Sequence, residues 1–572
     1  MPALAGDTAS PIRTDLRLVP TVLVTWSVAL IGSLIDAAWS AALAGGLGLA
    51  GLLLLARARR YGSATQRART ISATLALAGV LGAAVAVSCA VTANTREVGP
   101  LAEAVAGGSG VLIEVQITGV PAEVPVPGHS GGNRWSVTAV LVEVTSKGSV
   151  TQGSADVMVV GGNGWQNVRP GQHVRTSGTL KAVREGQPQA ALLSASSAPV
   201  VIGSAFDVRQ SAFDVRRQFV AASGWLPPDP AGLMPGMVTG DTSALPESLE
   251  ADMKTTGMTH LTAVSGANCS LVLGGFVLLA RCIRLTRPLA GAFAACGLTA
   301  FVVMVGPDPS VLRAAVMGTV GLAALVGGLR VRSLTFLCLA TIILLLLDPG
   351  MAANVGFLLS VLATLGIVLL ASRMASWIPS IVPRWLAAGF AVPLSAQLLC
   401  GPVIVALQPQ FTPYALITNV VAGPLVAPIT IFGTVAVPLA VVFPWLAVVP
   451  VAVAGGCAGV VAGLARFFAH LPGASLPWAE GPAGVSAMAA LSLTSVLVVW
   501  MVLHPSGVMC HVMALHRGVM QVLEHGVWRR HGRLEASKET SGRNHLWLLP
   551  KTPGPRASRR TTSAGGMRRR PP

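Results

Sequence analysis

The residues best suited to chemistry form one compact run, Gly257-Met-Thr-His-Leu-Thr-Ala-Val-Ser-Gly-Ala-Asn268, which leads directly into an apolar stretch. His260, Ser265, Gly266 and Asn268 stand where a lipid-facing helix would carry leucine. On one continuous helix His260 and Asn268 would differ by roughly 80°, and Ser265 would lie about 140° from His260. A break at Gly266 would let these side chains converge on a cavity. The alternative is helix–helix packing, with small residues allowing close approach and the imidazole hydrogen-bonded across the bundle.

Further polar residues interrupt later apolar stretches, namely Arg313, Asn354, Ser360, Gln397 and Asn419. Polar groups at membrane depth are costly and usually face a cavity or a partner. Each alone is most often a packing contact, but successive interruptions, with Pro402 and Pro424 nearby, favour a polar path through a bundle. Arg313 can instead pair with Asp308 or Asp348, or extend to the outer interface.

A membrane bundle must position these residues, because 52% of the 572 residues are hydrophobic and only 11% are charged. A typical soluble domain is about a quarter charged, so a soluble enzyme and a disordered chain are excluded as descriptions of the whole chain. A spanning helix needs about 20 mostly apolar residues. About twelve runs qualify: Leu18–Ile35, Ala37–Ala56, Ile71–Val91, Leu261–Ala280, Leu289–Val305, Ser310–Val326, Leu334–Leu347, Val355–Ala371, Trp385–Val405, Tyr414–Val442, Leu446–Phe468 and Val485–Leu503.

Arginines predict the orientation of these spans, since short loops with excess Arg stay in the cytoplasm. Arg-rich loops follow the second, fourth and sixth runs, whereas the alternate loops carry Asp36, Asp308 and Asp348. We therefore expect a multi-pass protein of the bacterial cytoplasmic membrane. Both termini should be cytoplasmic, and residues 92–259 should be extracytoplasmic.

Between the third and fourth runs the pattern changes to the alternation of β-strands, at Val111–Thr118, Arg134–Val144, Ala155–Val160 and Gln172–Leu180. Short strands separated by Gly- and Pro-rich turns predict an inserted OB-like β-barrel, a fold that often binds single strands. Trp135 and Trp165 can stack on bases or belong to the core. Arg175 and Lys254 are further candidate DNA contacts, although the barrel segment is nearly neutral.

A direct repeat of seven residues, Ser204–Gln210 and Ser211–Arg217, follows the barrel. It predicts an interfacial amphipathic helix whose Arg209, Arg216 and Arg217 reach lipid headgroups. The alternative is a short duplication tolerated in a linker.

The tail from His504 to Pro572 has 13 Lys/Arg against three Glu. It predicts a disordered cytoplasmic segment that prefers anionic lipid, with nucleic acid as the alternative. The chain thus divides into a three-helix membrane segment (1–95), a β domain (96–203), an interfacial amphipathic linker (204–259), a membrane domain (260–503) and the tail (504–572). No cysteine or histidine spacing matches a standard metal site, and no cofactor is expected.

The run from His260 to Asn268, with Gly240-Asp241 and Thr256-Gly257 before it, resembles the signature of the ComEC/Rec2 competence family. Similarities to later motifs of that family occur at Pro309–Ala314, Asp348-Pro349 with Gly356–Ser360, and Asn419 with Pro424. The β domain also matches the position of the family's OB-like domain. The resemblance covers roughly residues 20–500.

This resemblance implies a channel, not an enzyme, through which single-stranded DNA crosses the inner membrane during natural transformation. His260, Lys254 and Arg313 would then contact phosphates. Many members carry Leu-His where this chain has Ala267-Asn268, so a role that needs a second imidazole is in doubt. Many members also end in a metallo-β-lactamase-like domain, but this sequence has no HxHxDH motif, so a separate nuclease is expected.

No Walker A loop occurs in the sequence, so a cytoplasmic motor is expected as a partner, and a homodimer could help to enclose the path. Two alternatives from other classes stay open. One is a transporter of another polar solute, which inverted repeats would favour, although none is found. The other is an intramembrane serine hydrolase built on Ser265, although Ala263 replaces the expected glycine and His470 is the only other histidine in a predicted span.

Overall fold

The fold is that of a computed structural model of the chain. It describes residues 15–60, 66–97, 104–105, 108, 110–124, 134–146, 149–182, 189–203, 208–327, 333–503, 513, 517 and 520–521. The chain divides into two compact units, 1–497 and 498–572. The basic tail predicted from residue 504 falls almost entirely outside the described residues.

Every one of the twelve predicted spans contains an apolar helix, which confirms a polytopic α-helical membrane protein. Ten are long enough to cross a membrane by length and composition, and two, Val19–Gly32 and Ser333–Leu347, are shorter. The helices are α1 (Val19–Gly32), α2 (Ala37–Arg60), α3 (Gln66–Glu97), α4 (Val208–Ser223), α5 (Pro228–Thr239), α6 (Glu247–Thr255), α7 (Gly266–Cys282), α8 (Arg287–Val305), α9 (Pro309–Val326), α10 (Ser333–Leu347), α11 (Val355–Gly366), α12 (Ser372–Trp377), α13 (Arg384–Leu407), α14 (Ala415–Val442), α15 (Pro444–Ala469) and α16 (Gly481–Leu503). A π-helical turn at Ile367–Ala371 joins α11 to α12.

The three N-terminal helices attach to the rest of the bundle through α1 and α3, which both pack against α10. The Trp26 ring of α1 stacks on the Phe357 ring of α11, with the centroids 5.2 Å apart. Small residues let α2 and α3 approach closely: a methyl group on Gly79 would lie 3.0 Å from the Gly51 Cα. Packing of this kind, rather than hydrophobic exclusion, holds helices together in lipid.

Residues 110–203 form a closed β-barrel, as the alternating pattern predicts. The strands are β1 (Gly110–Ile117), β2 (Ala122–Val124), β3 (Arg134–Ser146), β4 (Ser149–Gly161), β5 (His173–Lys181), β6 (Ala191–Ala195) and β7 (Val200–Gly203). Five of them close in the order β1-β3-β4-β6-β5, with β5 pairing back onto β1. The β4–β6 pair is parallel and the other four are antiparallel. A small five-stranded barrel is the OB-like architecture expected.

The barrel core is formed by the inward-facing residues of the alternating strands. Alternate residues of β1 from Val111 to Ile117 are at most 2% exposed. Trp165, on a short 3₁₀ turn after β4, is completely buried in the same core. Gly161 allows this arrangement, because a side chain there would overlap the indole ring.

The linker after the barrel contains three helices, all of them packed against the bundle. Helix α4 is amphipathic as predicted and buries Phe219, which packs with α5, α14 and α15 in one hydrophobic core. Arg216 does not reach toward lipid: its Nη1 donates to the Val305 carbonyl at the C-terminal end of α8 over 3.3 Å. Helix α5, which the sequence pattern did not predict, is buried from Leu233 to Thr239 between α14 and α15.

The pairing of two connecting loops agrees with spans that run alternately in opposite directions. The loop before α14 contributes β8 (Gln410–Phe411) and the loop before α16 contributes β9 (Leu476–Pro477), and these pair with each other. Asp348, in another loop of the predicted outer side, has a pKa raised by burial and, more weakly, by the nearby Asp156 carboxylate of the barrel.

Candidate functional site

The helix break predicted at Gly266 is present. Thr259–Leu261 form a single 3₁₀ turn, and the chain is extended at Ser265 (φ −94°, ψ 161°) before α7 begins at Gly266. The predicted span from Leu261 is therefore divided into an irregular entry and a shorter helix. Irregular backbone at this depth is tolerated where protein or water, rather than lipid, surrounds it.

Asn268 is the centre of a buried hydrogen-bond network that joins three helices. Its Nδ2 donates to the Met237 carbonyl of α5 over 2.9 Å, and its Oδ1 accepts from Thr430 Oγ1 of α14 at 3.0 Å. Ser265 Oγ donates to the same Oδ1 at 3.2 Å. Asn268 is only 2% exposed, so these bonds satisfy a side chain that would otherwise be costly to bury. The network attaches the start of α7 to α5 and α14.

Arg313 of α9 approaches the start of α7 from the other side. A methyl group on Gly266 would lie 3.2 Å from the Arg313 Nη2. The guanidinium does not pair with Asp308 or Asp348, which were considered as partners; its Nε donates to Ser360 Oγ of α11 over 2.9 Å. This bond joins two residues that the sequence singled out separately.

Five helices form a closed ring around this region. Helix α7 packs against α9, α9 against α11, α11 against α13, α13 against α14, and α14 against α7. Each of the five carries at least one predicted polar-path residue. They are Gly266 and Asn268 on α7, with His260 and Ser265 just before it, Arg313 on α9, Ser360 on α11 with Asn354 at its start, Gln397 on α13 and Asn419 on α14. The tertiary structure thus gathers residues that lie up to 159 positions apart in the chain.

Not all of these side chains take part in one network. Asn354 caps α11, its Oδ1 accepting from the Phe357 N–H at 3.1 Å. Asn419 Nδ2 donates to the Ala415 carbonyl at 2.7 Å and to the Gly257 carbonyl at 3.4 Å, which ties α14 to the irregular entry. Gln397 is partly buried and has no hydrogen bond to another described residue. Two of the predicted residues thus have clear structural partners of their own.

His260 and Lys254 have exposed side chains. Lys254 lies in the last turn of α6. Both are placed so that a ligand could reach them.

The candidate DNA-contact residues of the barrel differ in their exposure and in their partners. Trp165 offers no face to a base, because it is completely buried and its Nε1 donates to the Ser197 carbonyl at 3.4 Å. Trp135 is partly buried against the barrel core. Arg175 is exposed but pairs with Glu114 at 3.4 Å. The recess beside it, of about 180 Å³, also contains Glu143, so it does not favour a phosphate.

The arrangement around Ser265 is not that of an activated nucleophile. Its hydroxyl donates to an amide oxygen of Asn268, which is not a base. His470 lies at the end of α15 and its Nδ1 is 2.7 Å from the carbonyl of Arg466 in its own helix. A base in hydrogen-bond reach of the hydroxyl is what hydrolysis would need.

Two threonines of the network were not singled out from the sequence. Thr430 donates to Asn268, and Thr418 Oγ1 donates to the Thr256 carbonyl at 3.1 Å. Both interrupt the longest apolar run, Tyr414–Val442, and that interruption was the signal available in the sequence. Threonine is common enough in membrane helices that it carries little information without its partner.

Comparison with known proteins agrees with the resemblance stated above. Residues 237–503 match the family model described as Competence protein. The chain is also similar to ComE operon protein 3 of Bacillus subtilis (strain 168), with 33% identity over 147 residues. That alignment covers 26% of this chain and 19% of the relative, so it spans about a fifth of the relative's length. No solved structure matches the chain.

The matched range begins inside α5 and contains all five helices of the ring, together with the break before α7. Residues 237–503 of this chain, which include the ring and the break, are therefore the part that is similar to the Competence protein family.

Proposed function

We propose that this protein is a membrane channel that imports single-stranded DNA during natural transformation. The observation that carries the proposal is the ring of five helices, each of which contributes a polar residue at membrane depth. The match to the Competence protein family and the similarity to a ComE operon protein supply the biological role.

A strand of DNA needs a wet path lined by donors, because lipid would reject each charged phosphate. The ring offers the guanidinium of Arg313, the partly buried amide of Gln397 and the accessible imidazole of His260. In this proposal His260 lies on the path, and Lys254 and Arg313 contact phosphates.

The structural residues of the site have a separate role in this proposal. Asn268 and Asn419 hold the irregular entry between α5, α7 and α14 through bonds to backbone carbonyls. This explains how a chain with Asn268 in place of a second histidine keeps the same architecture. The entry is held in place by an amide, and no second imidazole is required.

The proposal also includes the orientation of the channel in the membrane and its partners. Both termini are cytoplasmic and the OB-like barrel lies outside, where it would meet the strand first. In this proposal a cytoplasmic motor drives import, and a separate nuclease degrades the other strand. Two copies of the chain could share one path.

Uptake of fluorescently labelled DNA into the cytosol tests the proposal in a strain that lacks this gene. Complementation with the natural chain should restore uptake, and His260→Ala should reduce it. His470→Ala is the matched control, because His470 lies outside the ring and should leave uptake unchanged. Normal uptake in the deletion strain would refute the DNA channel and leave another polar solute as the cargo. Ser265→Ala should leave a channel largely working, whereas a hydrolase would lose its activity.

A further inference from the structure

Arg313 is a buried cation whose charge is not balanced by any carboxylate in the described part of the chain. It is only 7% exposed. Its two hydrogen bonds go to neutral groups, from Nε to Ser360 Oγ at 2.9 Å and from Nη1 to Met317 Sδ at 3.4 Å. Buried charges in proteins are normally paired, and an unpaired charge at membrane depth is especially costly. The environment of Arg313 is therefore incomplete without an anion.

The N-terminus of helix α7, beside the Arg313 guanidinium, also attracts anions. Helix α7 begins at Gly266, and the N–H groups of Gly266 and Ala267 lie in its first turn, where the helix supplies no acceptor. Ser265 does not cap them, because its hydroxyl donates to Asn268 instead. The positive end of the helix dipole and the free N–H groups make such a terminus a ready site for a phosphate.

The Arg313 guanidinium and the N-terminus of helix α7 lie side by side. The Arg313 Nη2, which makes no hydrogen bond to another described residue, is 3.2 Å from where a Cβ of Gly266 would be. A cation against the positive end of a helix is unfavourable in isolation, and it becomes favourable when an anion lies between them. The absence of a side chain at Gly266 is what permits this approach.

We propose that Arg313 and the backbone N–H groups of Gly266 and Ala267 form a binding site for one phosphate group. The site deepens the proposed function, since a phosphodiester of the passing strand would supply the missing counter-charge. Only the identification of the phosphate as part of the strand rests on the proposed function. A lipid headgroup has the same chemistry and is the other possible source of the phosphate. Each successive phosphate would occupy the site transiently.

Binding of inorganic phosphate to the purified full-length chain in neutral detergent tests the site. Thermal unfolding is followed while phosphate replaces chloride at constant ionic strength. The midpoint should rise and saturate for the natural chain, because a ligand that binds only the folded state stabilises it. Arg313→Gln should weaken apparent phosphate affinity about tenfold or more, whereas Arg281→Gln, at the exposed far end of α7, should not. Equal midpoints in phosphate and chloride, or unchanged affinity in Arg313→Gln, would overturn the proposal.

Gly266→Ala provides a second variant in case Arg313→Gln does not fold. It keeps the charge but places a methyl group 3.2 Å from Nη2, so phosphate affinity should fall while the protein stays folded. Unchanged affinity in this variant would also count against the site.

Competition then identifies the source of the phosphate. Displacement by a short oligothymidylate supports the strand, and displacement by phosphatidylglycerol alone overturns that assignment. Phosphate binding in a chain that fails to import DNA in cells would refute the proposed function and leave the anion site in place.

Discussion

Replacing Asn268 by leucine should destabilise the start of α7, because this side chain joins α7 to α5 and α14. The substitution removes the bond to the Met237 carbonyl and the two bonds accepted from Thr430 and Ser265. Leucine has the same number of side-chain heavy atoms and the same branching as asparagine, so the change removes polar contacts without opening a cavity.

The magnitude follows from the number of bonds and from the carbonyl that is left behind. Side-chain hydrogen bonds in a membrane protein average about 0.6 kcal/mol each and reach about 1.7 kcal/mol. Three of them amount to about 2 kcal/mol. Met237 lies in the last turn of α5, where its carbonyl has no partner within the helix, and leaving a buried acceptor unsatisfied costs about 1–3 kcal/mol. The expected loss in the free energy of unfolding is about 3–5 kcal/mol.

Unfolding in mixed dodecylmaltoside and sodium dodecyl sulfate micelles, followed by tryptophan fluorescence, measures this loss. Ser270→Ala is the control, because Ser270 is exposed on the same helix and its hydroxyl bonds only to the Gly266 carbonyl of its own turn. The control should change the free energy of unfolding by less than about 0.5 kcal/mol. If Asn268→Leu changed it as little as the control does, the network would not hold the entry together and the reasoning would be refuted.

Three further predictions concern other contacts. The hydrogen bond from Arg466 lowers the pKa of Asp229, so this carboxylate stabilises the fold above its unfolded pKa of about 3.9, and the stability is lost as pH falls through the lower folded pKa. Asp229→Asn should therefore lower the thermal midpoint most at pH 7 and progressively less as the pH falls below about 3.9, and an equal effect at pH 7 and at the lowest pH tested would contradict this. Gly433→Ala should cost about 1–3 kcal/mol in detergent unfolding, since its methyl group would overlap a valine of α5, whereas Gly423→Ala has open space and should be neutral. Trp165→Ala should cost about 3–5 kcal/mol and make the barrel sensitive to limited proteolysis, and a resistant barrel would show that the indole is not part of its core.

Local patterns in the sequence were sufficient to predict the elements. A run of about 20 apolar residues can satisfy its backbone in lipid only as a helix, and all twelve runs contain a helix. Alternation predicted the longer strands of the barrel, and Ser265-Gly266 predicted the break before α7. Helix α5 was missed because it is short and contains Pro235, so its own residues give no helical signal, and burial between α14 and α15 stabilises it.

The partners of the polar residues were decided only by the tertiary structure. The sequence placed Asn268, Arg313 and Ser360 in apolar surroundings, which predicts that each needs a partner, but it cannot say which. Arg313 had two aspartates nearby in sequence, yet it bonds to Ser360, because α9 and α11 lie side by side in the ring. Trp165 likewise fits a core or a binding face equally well until the barrel closes around it. Local composition fixes what must be buried or satisfied, whereas the contacts that do so come from residues tens to hundreds of positions away.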